Sequence, residues 1–513
     1  MSHIGMRVLI HVKKMVFTMI DNAKKITQLL IVGTGFGGLG TAIQAKIKGF
    51  EDLVIIERAD EVGGVWRDNH YPGCACDVQS HLYSFSFAPN PNWSKDFAPQ
   101  GEIYDYLKKC AQSFKLYPHI HFNTEMLSAK WVEEIGKWIV ETSNGVYEAR
   151  YLVLGCGSLS DPLIPEIVGQ DKFSGDAFHS ANWPTDLDLN GKRVAVIGTG
   201  ASAIQFIPAI QPIVSQLTLF QRTPAWVLPR HDELIPAYKK SLFKNIKLTQ
   251  KINRQMIYWK REYMALGFKF PILMKQAQHH ALQNIKKSIF DPVLIKKVTP
   301  SYTLGCKRVL ISNIYYPSLA QPNVHVVDSG IKQIRKNDIV DQDGIIRKFD
   351  VIIYGTGFKV KELPYANDVF GCSGLSLNEY WMGSPKGFAG TTVNDFPNLF
   401  ILHGPNVGLG HSSVIYMFEA QIEHIFNVIK IAQNKKMPIL EPTAIAQSQY
   451  THWIDQTMKG SVWTAGGCES WYLDETGRNS SLWPSFTFHF KQKISKVDEK
   501  DYQFRQINKE VSV

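Results

Sequence analysis

No stretch of this 513-residue chain is apolar for long enough to cross a bilayer. A span needs ~20 largely apolar residues, and the run from Ile4 to Ile20 is broken by Arg7, His11, Lys13 and Lys14. That run also lacks a small-residue cleavage site, which excludes a secretory signal. Met15 and Met19 offer later starts; otherwise residues 1–26 read as a disordered extension or a short basic amphipathic anchor. Cysteine is scarce and badly spaced for pairing. Seven residues, an odd number scattered along the chain, exclude a disulfide framework and fit a reducing cytoplasm. Cys74 and Cys76 form a C-x-C with no second pair, which excludes a zinc module and a C-x-x-C dithiol, and no metal site is expected.

Acidic residues are scarce in one region. Residues 231–300 hold fourteen Lys/Arg against four Asp/Glu, so this segment carries a charge equal to that of the whole chain, +10. Within it Ile252, Met256, Trp259, Tyr263 and Leu266 recur at spacings of four and three, an apolar helical stripe. The segment therefore reads as a helical excursion with a basic face. Its charge suits a solvated surface, the steering of a polyanionic cofactor, or peripheral contact with an anionic membrane. No nucleic-acid motif accompanies the charge, so nucleic acid is not an expected partner.

What the chain does have is a pair of strand–turn–helix–strand units. Leu29 to Val32 is a buried-strand pattern running into Gly33-Thr34-Gly35-Phe36-Gly37-Gly38, then a helix, then Val54 to Ile56 ending on Glu57. Val194 to Ile197 runs into Gly198-Thr199-Gly200-Ala201-Ser202, with a second strand Leu217 to Phe220 followed by Arg222 and Thr223. In this context the glycines let backbone approach a pyrophosphate, which the helix N-terminus attracts. Glu57 and Arg222 stand at the same offset from their first glycines. A carboxylate accepts from an unphosphorylated ribose, as in FAD, and repels a 2′-phosphate; a guanidinium suits the 2′-phosphate of NADP. Each unit closes with a related strand and turn, Tyr151 to Gly157 and Asp350 to Phe358.

Three motifs remain. Phe173-x-Gly175-x-x-x-His179-x-x-x-Trp183-Pro184 lies between the two units. Gly63-Gly64-Val65-Trp66 leads to Tyr71-Pro72-Gly73 and on to Asp77, a glycine-hinged aromatic loop ending in a carboxylate. Asp350 to Phe358 matches D-x-x-x-[LFY]-[AG]-T-G-[FY]. Together these resemble the fingerprints of class B flavoprotein monooxygenases, in their Baeyer–Villiger branch, and more the acetophenone-type than the cyclohexanone-type group. The resemblance covers roughly residues 27–490.

That resemblance implies an α/β fold of two Rossmann-like dinucleotide-binding domains, for FAD and NADP, with a basic helical insertion in the NADP domain. The expected division is an FAD-binding domain at 27–160 and 371–495, an NADP-binding domain at 161–227 and 306–370, the insertion at 228–305 and a C-terminal tail at 496–513. FAD contacts are expected from Gly33, Gly35, Phe36, Gly38, Glu57, Val65, Trp66, Asp77 and Tyr83. NADP contacts are expected from Gly198, Thr199, Gly200, Ser202, Arg222, Thr223, Lys307 and Trp471. The segment after Trp471, Asp474 to Asn479, departs from the family pattern. Arg308 and Asp77 are the expected catalytic residues, with Asp77 holding the arginine in place. His179, on the expected interdomain linker, is read as coupling domain position to cofactor, or as a core histidine.

The implied activity is NADPH- and O2-dependent insertion of oxygen beside a ketone carbonyl through a C4a-peroxyflavin, giving an ester or lactone. The rivals are an N- or S-oxygenating enzyme on the same fold, a dinucleotide-dependent reductase, and a non-enzymatic NADPH sensor. A small ketone or other apolar substrate and O2 are the expected partners.

Overall fold

The computed structural model describes residues 24–360, 363–468 and 470–507. The proposed anchor at Ile4 to Ile20 lies outside them. Lys25–Val32 is the centre of an eight-stranded sheet. It pairs in parallel with Leu53–Ile56 on one side and Gly145–Leu154 on the other. Both faces are covered here, one by helices such as Phe36–Ile47 and Val414–Lys435 and the other mainly by the antiparallel strands and loops around Trp138 and Phe396, which is why Leu29, Leu30 and Ile31 are all fully buried and the run is apolar without alternation. An antiparallel meander, Met126–Val132 and Lys137–Thr142, leads into Gly145–Leu154. Leu399–Ile401 and Val369–Phe370 return from late in the chain to pair in parallel with Gly145–Leu154 and Met126–Val132.

The second sheet has five strands in the order Val324–Val327, Gln216–Phe220, Arg193–Ile197, Val351–Tyr354, Asp176–His179, and every pairing is parallel. Two Rossmann-like layers with a helical excursion is the architecture expected from the paired glycine turns. Arg193 and Asp350 fasten two neighbouring strands: Nη2 and Nε donate at 2.6 and 3.0 Å, and the Arg193 backbone N–H adds a third bond at 2.8 Å. Hydrogen bonding from Arg193 lowers the Asp350 pKa to about 2. The folded value lies below the ordinary one of 3.8, so this contribution is complete above pH ~4 and is lost as pH falls towards 2. Because the pair is partly exposed, Asp350→Asn is expected to cost about 1 kcal/mol at pH 7. Urea midpoints of wild type and variant should converge at the acid end of that window.

Three expectations need correction. His179 is not on a linker: it ends the edge strand Asp176–His179, paired opposite Tyr354. Its Nδ1 accepts from the Ala181 N–H at 3.1 Å and its ring meets Phe358 edge-on. Burial holds its pKa below the ordinary range. The chain after residue 496 is not a bare tail, since Tyr502–Arg505 pairs antiparallel with Ile439–Pro442. Cysteine pairing also occurs: Cys306 and Cys468, 162 residues apart, form a disulfide. Cys74, Cys76, Cys110, Cys156 and Cys372 are free. Thiol titration of the denatured protein is expected to find five groups without reductant and seven with it.

The basic segment folds into helices Ala237–Asn245, Lys247–Lys269, Met274–Ser288 and Pro292–Val298. No helix among the described residues is long and apolar enough to cross a membrane.

Candidate active site

The first glycine turn is built for close approach. Gly33 takes φ +93° and donates to the Ile56 carbonyl at 2.8 Å. A Cβ on Gly38 would lie 1.8 Å from the Gly33 carbonyl oxygen, so only glycine lets the helix Phe36–Ile47 start there. No side chain caps that helix, and the space around Gly35 is open. Its free N–H groups and positive end suit a pyrophosphate. Glu57 ends the next strand and is buried. Its Oε2 accepts from the Thr34 N–H and hydroxyl at 3.0 and 2.6 Å, and Oε1 from the Ala59 N–H at 3.0 Å with Arg67 3.2 Å away. Phe36 points into the core, edge-on to Tyr83 and Phe85.

The second turn repeats the plan. Gly198 takes φ +107° and donates to the Phe220 carbonyl, and no side chain caps the helix Ala203–Ile210 that follows Gly200 and Ser202. The Thr199 hydroxyl donates to the Thr223 carbonyl at 3.0 Å, fixing the two loops together. Arg222 is exposed and makes no hydrogen bond or ion pair among the described residues.

The aromatic loop joins the two units. Val65–Asp68 forms one helical turn, and Trp66 Nε1 donates to the Tyr83 hydroxyl at 3.2 Å. Further along, Gly73 (φ +79°) lies against the helix Ala203–Ile210, where a Cβ would come within 2.7 Å of the Gln205 carbonyl. The Gln205 side chain donates to the Ala75 carbonyl and accepts from the Ala75 N–H and the Tyr71 hydroxyl. His70 donates from Nε2 to the Trp183 carbonyl at 2.8 Å. The fingerprint tryptophan thus braces the loop that carries Trp66.

This loop delivers Asp77 to Arg308, 231 residues away in sequence. Arg308 Nη2 and Nε both donate to one carboxylate oxygen, at 2.6 and 3.0 Å. Burial raises the Asp77 pKa, but the guanidiniums of Arg308 and, behind it, Arg261 outweigh burial and hold it below the ordinary range. Asp77 in turn raises the Arg308 pKa against the effect of burial. Arg308 is therefore a fixed cation, and its side chain remains 39% exposed. It keeps an accessible face for a second anionic group. Lys307, beside it, places Nζ 5.3 Å from the centre of the Tyr302 ring.

Two residues that sequence reading did not single out complete the site. Arg261, on the long helix, donates to the Asp77 carbonyl at 2.8 Å and to Gln79 Oε1 at 2.7 Å. Its charge had looked like part of a surface field, and nothing in the sequence marked it as inward. Tyr472 is buried with its hydroxyl unpartnered among the described residues, and it lies within the field of Arg308. Burial raises its phenol pKa to about 12, with Arg308 acting in the opposite direction. Its neighbour Trp471 is 41% exposed, their rings 4.2 Å apart. The divergent stretch that follows is well tied: Asp474 Oδ1 accepts from the N–H groups of Thr476 and Arg478, and Arg478 bonds Asp455 and Asn406. The disulfide links this region to the Arg308 loop, two residues before the arginine and three before Trp471.

The comparisons agree with this geometry. Residues 30–258 match the model of the pyridine nucleotide-disulphide oxidoreductase family. A Baeyer–Villiger monooxygenase of Streptomyces coelicolor is 45% identical over 478 residues, covering 93% of this chain and 92% of the relative. One from Pseudomonas aeruginosa is 46% identical over 483 residues, covering 94% and 92%. The chain belongs to the Baeyer–Villiger monooxygenases. The crystal structure of OTEMO in complex with FAD and NADP superposes with a TM-score of 0.84 at 26% identity, covering 93% of this monooxygenase and 99% of that chain. The C-x-C spacing spoke against the dithiol centre of a disulfide reductase. Cys74 and Cys76 are free and buried, and burial raises the Cys74 pKa to about 11.

Proposed function

We propose that this monooxygenase binds FAD on the first glycine turn and NADPH on the second, and uses Arg308 to direct oxygen insertion beside a ketone carbonyl. The domain division in this reading is FAD-binding at 27–160 and 371–495, and NADP-binding at 161–227 and 306–370. When bound, the flavin accepts hydride from NADPH and activates dioxygen. The protein's part is positioning and charge. Two uncapped helix N-termini would hold the pyrophosphates. Glu57 and Arg222 sort the two cofactors by the sign of their charge. Trp66 and Tyr83 offer an aromatic wall for a planar ring.

Arg308 stabilises negative charge on the reacting oxygen and polarises the carbonyl, while Asp77 and Arg261 keep it in place. A fixed guanidinium with an accessible face, rather than the fold alone, favours carbonyl attack over N- or S-oxygenation. The proposed partners are a small apolar ketone and dioxygen, and the proposed location is the cytoplasm. The test is to reduce the holoenzyme with NADPH without air, admit oxygen, and offer a ketone or a thioether. Ester supports the reading; sulfoxide alone transfers it to the N- or S-oxygenating class.

A further inference from the structure

The long helix Lys247–Lys269 buries Tyr258, Ala265 and Phe268 but turns a second apolar face outwards. Its buried positions include Gln250 and Glu262, while Leu248, Ile252, Met256, Trp259 and Tyr263 are 50–76% exposed. At ~100° per residue these five fall within one arc of about 80°. The polar side is committed inwards: Gln250 bonds the Asn90 carbonyl, Arg254 the carbonyls of His81 and Ser84, and Arg261 that of Asp77. The helix cannot roll over to hide its stripe without breaking these bonds. The surface continues through Leu242 and Ile246 on one end and Phe270 and Ile272 on the other, all exposed. A contiguous apolar patch of this kind marks a contact surface.

Charge decides what it contacts. From residue 237 to 290 there are ten lysines, all exposed except Lys240, and none forms an ion pair among the described residues. The one acid in that stretch, Glu262, is buried against Thr487 and His411. Lys260 flanks the stripe on one side, Lys251 and Lys269 on the other. Protein interfaces are depleted in lysine, and a two-fold contact between copies would set the two lysine rims against each other. A basic rim around an apolar stripe that carries Trp and Tyr instead fits a helix lying in the plane of a lipid headgroup layer.

We infer that the Lys247–Lys269 helix docks this enzyme on the surface of an anionic phospholipid bilayer. The inference rests on this surface and is independent of the oxygenation reading. It is tested by co-sedimenting the FAD-loaded enzyme with phosphatidylcholine vesicles, with and without phosphatidylglycerol, in low and high salt. The expected result is about tenfold more protein bound when phosphatidylglycerol is present, falling as salt screens the lysines. Ile252→Glu with Trp259→Glu should abolish binding while the flavin spectrum and NADPH oxidation stay at wild-type levels. Replacing Lys251 and Lys260 by serine should weaken it without touching the stripe. Equal binding to both vesicle types, no binding to either, or a double variant that binds like wild type overturns the proposal. So does a concentration-dependent dimer, seen by sedimentation equilibrium, that the glutamates dissolve.

Discussion

Arg308→Ala is expected to lower conversion of a ketone to its ester by a factor of about 100 to 1,000, the usual cost of removing one donor to a developing oxyanion. The ceiling follows from electrostatics. At ~4 Å and an effective dielectric of ~20, one unit charge stabilises its opposite by ~4 kcal/mol before desolvation, about three decades in rate. Arg308 is 39% exposed, so solvent moderates the effect towards the lower end. NADPH oxidation should continue in the variant, with the electrons leaving as hydrogen peroxide, one per NADPH consumed. Arg308→Lys should not restore ester formation, because an ammonium cannot hold Asp77 through two parallel N–H groups while facing outwards. Ester yield, peroxide yield and NADPH consumption, measured together, separate loss of oxygen transfer from loss of reduction. An undiminished ester rate in Arg308→Ala would remove the arginine from the mechanism.

The second large effect concerns cofactor choice. Arg222→Ala should raise KM for NADPH by roughly 10- to 100-fold and leave kcat nearly unchanged, since charge-assisted hydrogen bonds contribute ~1.5–3 kcal/mol. KM for NADH, which lacks the phosphate, should hardly move. The structure leaves this guanidinium exposed and without a protein partner among the described residues, which is what a phosphate ligand requires. The same loss of affinity for both nucleotides would show that Arg222 shapes the loop rather than reading the phosphate.

Legibility followed the range of the signal. The parallel strands at the heart of both sheets could be read because each strand–turn–helix run is local and its glycines are sterically obligatory, as the Gly38 contact with Gly33 makes plain. The Asp77–Arg308 pair spans most of two domains, and the family resemblance, not spacing, brought those residues together. The stripe on the long helix was visible as a period, but a period does not say whether a face looks in or out. Arg254 and Arg261 settle that, and each looks like any other basic residue in a basic run. Cysteine spacing could not reveal a bond between Cys306 and Cys468, because only the folded loops bring them together. His179 was placed on a connector because its fingerprint lies between the glycine turns, yet that fingerprint supplies an edge strand of its own.

The covalent tie at Cys306 makes Arg308 and Trp471 travel together. Any displacement of the loop at Cys468 is passed through that bond to the loop that carries Arg308.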